Sequence, residues 1–194
     1  GIRLQISKKG NGEINIFTRR LEEVTKQFPE IVDFVKKYIN AESFIIDSEA
    51  VGYNPKTKRY LPFQSISQRI KRKYDIEDIA KKFPVELNIF DIVYYNNQDL
   101  LNKPFKERRV ILEKITKQTK LKLVLAKQLI TSDKKLAKKF FKEALDEGEE
   151  GVMAKNLEGV YKPGSRVGYG VKVKPTADSF DLVIVKAEWG EGKR

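Results

Sequence analysis

Two lysines one residue apart, Lys172 and Lys174 in Val171-Lys172-Val173-Lys174-Pro175, fall on the same face of any strand that holds them. Ammonium groups at that spacing repel unless an anion lies between them, and a phosphate is the natural complement. The same pattern also serves an exposed edge strand, where lysines deter aggregation. In Phe44-Ile45-Ile46-Asp47-Ser48-Glu49-Ala50-Val51, period two puts Asp47 and Glu49 on one face with Ile45 and Val51. Carboxylates on so apolar a strand need water, a cation or a metal beside them. Glu149 and Glu150 lead into Gly151-Val152-Met153-Ala154-Lys155, an acid entering a short apolar strand that ends in a cation. An odd separation sends Glu150 and Lys155 to opposite faces of a regular strand. They share a cleft only if the strand bulges, twists or ends near one of them.

Arg3 and Arg19 sit on the two arms of an N-terminal hairpin, and Arg166 follows a glycine in Gly164-Ser165-Arg166. The stretch Arg69, Ile70, Lys71, Arg72, Lys73 suits contacts to a duplex backbone, or equally a solvated helix face. Phe90, next to Asp91, is either core or an aromatic surface on which a base stacks.

The composition narrows the chemistry further. The 194 residues contain no Cys and no His. A disulfide frame, a thiolate nucleophile, a Cys/His zinc site and every triad that runs on a histidine base are therefore excluded. Covalent chemistry is left to Lys, Ser, Thr, Tyr or a carboxylate, and a metal site would be lined by oxygen. Lys and Arg number 39 against 27 Asp and Glu, a net charge of +12, which fits a polyanionic partner. At 40% hydrophobic residues the chain is globular in character, and no apolar run approaches the ~20 residues of a membrane helix.

These residues need elements to hold them. Alternation predicts a hairpin over residues 1–17 that turns at Gly10-Asn11-Gly12. A helix is expected from Pro29, a strand at 44–51, a turn at Asn54-Pro55 with a return strand near Arg59–Leu61, and one helix from Gln64 to Lys82. Val85–Tyr95 reads as the longest strand. Beyond it come a helix from Pro104 to about Lys117, a strand at 121–126 and a helix capped at Ser132 or Asp133 and ended by Gly148. Three further strands are expected at 151–155, 170–174 and 181–188, with Val171 and Val173 packed on the face opposite the lysines. Strands joined by hairpins and interrupted by single helices give an α+β fold, mainly antiparallel sheets flanked by helices, in one domain.

Taken in order, these segments resemble the nucleotidyltransferase (adenylation) domain of ATP-dependent DNA ligases of the archaeal and eukaryotic type. Gly1-Ile2-Arg3-Leu4-Gln5 resembles the end of the signature Lys-x-Asp-Gly-x-Arg-x-Gln, and Phe17-Thr18-Arg19-Arg20 the next arginine-bearing segment. Residues 44–51 are similar to the third motif, and Phe90-Asp91 to the aromatic motif after it. Glu150–Lys155 and Val171–Pro175 resemble the fourth and fifth, with Tyr161–Arg166 and Asp181–Arg194 in support.

The resemblance implies an ATP-grasp-like nucleotidyltransferase domain working with ATP and Mg²⁺. Arg3, Arg19, Glu49, Phe90, Lys155, Arg166 and Lys172 would surround ATP, with Phe90 against the adenine. Glu49 and Glu150 would hold the metal, Lys172 and Lys174 would act on the phosphates, and Arg69, Lys71, Arg72 and Lys73 would meet DNA. Implied partners are nicked duplex DNA, the other domains of a parent ligase and, through regions outside this chain, a sliding clamp. The resemblance further implies no membrane, a setting in cytoplasm or nucleoid, or in the nucleus of a eukaryote, and a part in replication, repair and recombination.

The family's signature lysine stands three residues before the glycine at which this chain starts. The 194 residues are therefore expected to be an adenylation domain cut before Gly1, ending near an OB-fold domain and inactive alone. Tyr169-Gly170-Val171 replaces the tryptophan-bearing segment common in the family. An RNA ligase or capping guanylyltransferase shares the lysine chemistry, and a non-catalytic DNA-binding fragment is the alternative of another class.

Overall fold

The computed structural model describes residues 1–71, 74–164, 169–175, 183, 185–186 and 188. The chain opens with the expected hairpin, β1 (Ile2–Lys8) and β2 (Ile14–Thr18), paired antiparallel from Leu4↔Thr18 to Lys8↔Ile14. A 3₁₀ turn (Thr25–Gln27) leads into α1 (Pro29–Tyr38), with proline at the helix start, where its missing N–H costs nothing. Then come β3 (Phe44–Gly52), α2 (Phe63–Lys71), α3 (Ile76–Lys82) and β4 (Val85–Tyr95). After these follow β5 (Gln98–Asp99), α4 (Phe105–Ile115), β6 (Leu123–Leu125), α5 (Lys134–Asp146), β7 (Val152–Lys155) and β8 (Gly170–Val173).

Six strands form one sheet in the order β2-β1-β3-β4-β5, with β6 parallel to β4, while β7 and β8 form a separate antiparallel pair. The sheets are thus mainly antiparallel, as expected, with one parallel pairing. Ile2, Leu4, Ile6, Ile46, Ala50, Leu87 and Ile89 line the inner face of the large sheet. They are buried with Ile31 and Val35 of α1 and Ile66 of α2. Ser48 is the polar exception on that face, and its hydroxyl donates to Leu4 O at 2.9 Å.

Several expectations are corrected. The single helix over 64–82 is two, because Asp75 adopts a left-handed conformation (φ 54°), which Asp tolerates better than most residues. Glu77 and Asp78 then favour a new N-terminus at α3. The return strand at 59–61 reduces to one bridge, Tyr53↔Tyr60. Arg19 lies in the turn just beyond β2 rather than on the strand. Val171 and Val173 do not pack: they are 66% and 39% exposed, since no described element covers that face. Most of the strand expected at 181–188 lies outside the described residues, as do Arg72, Lys73 and Arg166.

The largest correction concerns Arg69, expected on a DNA-facing surface. It is 1% exposed, and its guanidinium lies 4.4 Å from the Phe28 ring centroid. Its Nη1 and Nη2 donate to the Glu30 carboxylate at 2.5 and 3.0 Å, and to Phe83 O and Gln27 O at 3.1 and 2.8 Å. One turn of helix places Ile66 and Arg69 on the same inner face, so the basic residue is drawn inward with the apolar one. Lys71 stays exposed.

Two contacts therefore seat α2: Arg69 on α1, and Ile66 on Gly52 of β3, where an added Cβ would overlap Ile66 Cγ2. Gly52→Ala is expected to destabilise the fold by about 1–3 kcal/mol in denaturant unfolding, with partial recovery in Gly52→Ala/Ile66→Val. Arg69→Met is expected to cost about 3 kcal/mol, because it strands Glu30 and two carbonyls. Lys71→Gln is expected to stay within about 0.5 kcal/mol.

Candidate functional site

The outer face of the large sheet carries polar residues that period two delivers together. Arg3 lies opposite Glu49, and Gln5 opposite Asp47, across β1 and β3. Across β3 and β4, Asp47 lies opposite Asp91, while Ser48 already pairs with Ile89. Phe90 is the extra residue at that step, a bulge that lets Phe90 and Asp91 both leave the core side. An aromatic ring and a carboxylate at adjacent positions therefore face the same cleft.

Asp47 and Asp91 are 1% and 3% exposed, so each needs donors. Asp47 Oδ2 accepts from Arg3 Nη2 at 2.8 Å and from the Tyr161 hydroxyl at 2.6 Å, and its Oδ1 accepts from Gln5 Nε2 at 3.4 Å. Burial, with the Asp47 hydrogen bond, pushes the Tyr161 phenol well above its usual range, so it remains a donor. Asp91 accepts Arg108 in a fork, Nε to Oδ1 at 2.7 Å and Nη2 to Oδ2 at 3.1 Å. Lys155 Nζ stands 3.5 Å from Asp91 Oδ2, and 4.4 and 5.1 Å from the ring centroids of Phe105 and Phe90. Burial lowers the Lys155 pKa, and Asp91 opposes that shift.

The β7–β8 hairpin forms the other wall. Its register pairs Met153 with Lys172 and Lys155 with Gly170, so Lys155 and Lys172 share a face. Glu150 precedes the strand rather than belonging to it, which resolves the odd spacing to Lys155. Gly151 makes the turn at φ 134°, and a Cβ there would collide with Val173 O. Glu150 Oε2 accepts from both Lys172 and Lys174, at 3.3 and 3.0 Å. The anion that the lysine spacing calls for is supplied by the chain itself. Those bonds hold the Glu150 carboxyl below its ordinary value, Lys174 first and Lys172 next.

Arg3, Arg19, Glu49, Phe90, Lys155 and Lys172 line one open cleft of about 2110 Å³, with Glu150 also on its wall. Lys174 reaches it through Glu150, and Lys71 lies on its border. Arg69 does not belong to it.

Residues 1–174 match the family described as ATP dependent DNA ligase domain. The chain belongs to that family. A DNA ligase of Nanoarchaeum equitans is 55% identical over the whole chain, and one of Thermococcus onnurineus 45%. In each case the chain spans 34% of the relative's length. Among solved structures, a mycobacterial DNA ligase D complexed with ATP and MES superposes with a TM-score of 0.65 at 25% identity. That match covers 90% of this chain and 52% of the other. The Chlorella virus DNA ligase-adenylate, at 16% identity and a TM-score of 0.56 over 89% of this chain and 61% of the other, shares the fold. The fold is therefore that of ATP-dependent ligase nucleotidyltransferase domains.

No cluster of three or more acidic groups that could hold a metal occurs among the described residues. A magnesium ion held by one or two carboxylates, with phosphate oxygens and water completing its shell, needs no such cluster. Glu49 is suited to that role, with its side chain 37% exposed toward the cleft. Burial raises its pKa; the Lys172 and Arg3 cations pull it back. Glu149 answers it from the facing segment. It keeps accessible surface, yet desolvation between the cleft walls raises its carboxyl, and Glu147, Glu49 and Glu150 add like charge. Nothing in the sequence pattern separates Glu149 from Glu150, or marks Asp47, Arg108 and Tyr161 as a linked set. Their residue types were in view, but the contacts join positions up to 114 apart.

A carboxyl whose pKa is raised by folding destabilises the protein above that pKa and ceases to do so once protonated. Glu49→Gln is therefore expected to raise the melting temperature at pH 7. The gain should shrink toward zero as pH falls through the raised Glu49 pKa.

Proposed function

We propose that this chain is the nucleotide-binding core of an ATP-dependent DNA ligase that seals nicks in duplex DNA. The observation that carries the reading is the three-centre contact of Glu150 with Lys172 and Lys174, beside Lys155 and the ring of Phe90. Two lysines that gather around a carboxylate will gather around a phosphate, which carries more charge and more acceptor oxygens. ATP lies with its base on Phe90 and its phosphates at Lys172 and Lys174, with Arg3, Arg19 and Lys155 along the same walls. The ring of Phe90 is half-buried, and the Arg3 guanidinium stands 5.8 Å from its centroid. Mg²⁺ would take Glu49 and the Glu149–Glu150 segment as its carboxylates, neutralising charge on the phosphates.

The reaction begins when a lysine amine attacks the α-phosphorus and pyrophosphate leaves. The resulting AMP passes to the 5′-phosphate of a nick, and the 3′-hydroxyl then attacks that phosphate and expels AMP. At each step negative charge grows on phosphoryl oxygens, which Lys172 and Lys174 would neutralise on leaving Glu150, with Arg3 along the same wall. The cleft is larger than the ~300–1,000 Å³ of common small-molecule sites, which suits a nucleotide together with a DNA end. Lys71 and the basic residues after it would border that DNA. Participation in replication, repair and recombination, and contact with a sliding clamp through other parts of the parent, follow from this reading.

ATP with Mg²⁺ is expected to raise the melting temperature of the chain, by the equivalent of about 2.7 kcal/mol at a hundredfold excess over Kd. Lys172→Ala is expected to abolish most of the rise. Stabilisation by GTP but not ATP would favour a capping-type enzyme. Steeply salt-dependent binding of nicked DNA with no response to ATP would reduce the chain to a DNA-binding module.

A further inference from the structure

The β7–β8 sheet shares no strand pairing with the large sheet among the described residues. Besides the Lys155–Asp91 pair, the residues that follow β7, up to Tyr161, join them, held by backbone bonds to α4 and the loop before it. Phe105 N donates to Gly159 O, Lys106 N to Leu157 O and Tyr161 N to Leu101 O, each at 2.9 Å. At the centre of this strap sits Arg108, 2% exposed. Its guanidinium forks onto Asp91 at 2.7 and 3.1 Å. Its Nη1 donates both to Lys103 O and to Gly159 O, the latter at 3.3 Å. The Phe105 and Tyr161 ring centroids stand 5.7 and 5.8 Å from it. One side chain therefore grips three segments: the bulged strand that presents Phe90, the entry to α4, and the strap that leads to Lys172 and Lys174.

We propose that Arg108 is a positioning residue that sets the distance between the aromatic surface at Phe90 and the phosphate lysines, so that one nucleotide can engage both at once. This rests on the nucleotide reading given above. A planar fork is required. It satisfies Asp91 through two parallel bonds while its remaining N–H groups reach two carbonyls on the far side, which a lysine ammonium, a point donor, cannot do. A ligand that touches only the lysines is indifferent to that distance. A ligand that spans base and phosphate sites loses the benefit of linked binding when the two drift apart.

The test compares ATP with inorganic tripolyphosphate by titration calorimetry on the 194-residue chain. Arg108→Lys is expected to weaken ATP about tenfold or more, roughly 1.4 kcal/mol per decade, and to leave tripolyphosphate within about twofold. Tyr161→Phe removes the strap's bonds to Asp47 and to Arg3, at 2.6 and 3.3 Å, and keeps the ring beside the guanidinium. It is expected to show the same split at smaller size, and it carries the test if circular dichroism shows Arg108→Lys unfolded. Parallel loss of both ligands would mark a structural role only and overturn the proposal, as would unchanged ATP affinity in a folded variant. If the unsubstituted chain bound neither ligand, the nucleotide reading itself would fall, and this proposal with it.

Discussion

Asp47 and Asp91 face each other across neighbouring strands, both nearly inaccessible to water. Like charges directly opposite one another destabilise a sheet, and burial multiplies the cost. The arrangement stands because each carboxylate has its own cation and its own set of donors. Arg3 comes from the neighbouring strand, Arg108 from α4, Lys155 from the small sheet, and the Tyr161 hydroxyl from the strap that follows it. Four segments distant in sequence must all be in place before the pair can be buried. Folding of the large sheet and assembly of the cleft are in that sense one event.

Charge neutralisation also explains why the cleft holds cations with so little free acid among them. Arg3 and Arg108 are committed to buried aspartates, and Lys155 is shared between Asp91 and two aromatic rings. Among the described residues Lys172 and Lys174 pair with Glu150, and that contact is exposed, with the three side chains 53%, 50% and 62% accessible. Exposed pairs of this kind contribute little to stability. The lysines most available to a phosphate are thus the ones whose present partner is cheapest to displace. Displacement would also return the Glu150 carboxylate to the cleft, where a divalent cation can use it.

The positive surplus of the chain is distributed differently from its appearance in the sequence. Four basic residues within five positions look like a surface, yet Arg69 turns inward to seat α2. The helix presents Lys71 outward because Ile66 and Arg69 point the other way. Periodicity located the helix, and the identity of the residues three positions apart decided which cation was structural. Nothing within the local segment distinguishes them, because the Arg69 partners are Glu30, Phe28, Gln27 and Phe83, contributed by α1, its approach and the end of α3.

The amino-acid sequence by itself determined the local elements, the absence of cysteine and histidine chemistry, and the order of motifs that carries the family resemblance. Alternation marked β1, β3 and β4, proline marked the start of α1, and the Lys-Val-Lys repeat called for an anion; each of these is a near-neighbour property set by backbone period and side-chain type. Only the tertiary structure decided which acid meets which cation. The bulge that turns Phe90 and Asp91 to the same side depends on the register between β3 and β4, and the Arg108 clamp depends on how α4 docks. Glu150 finds Lys172 and Lys174 only because the two strands pair across a gap of 22 and 24 residues. Such contacts are fixed by the burial of charge among distant segments, a constraint that exists only once the chain has closed on itself.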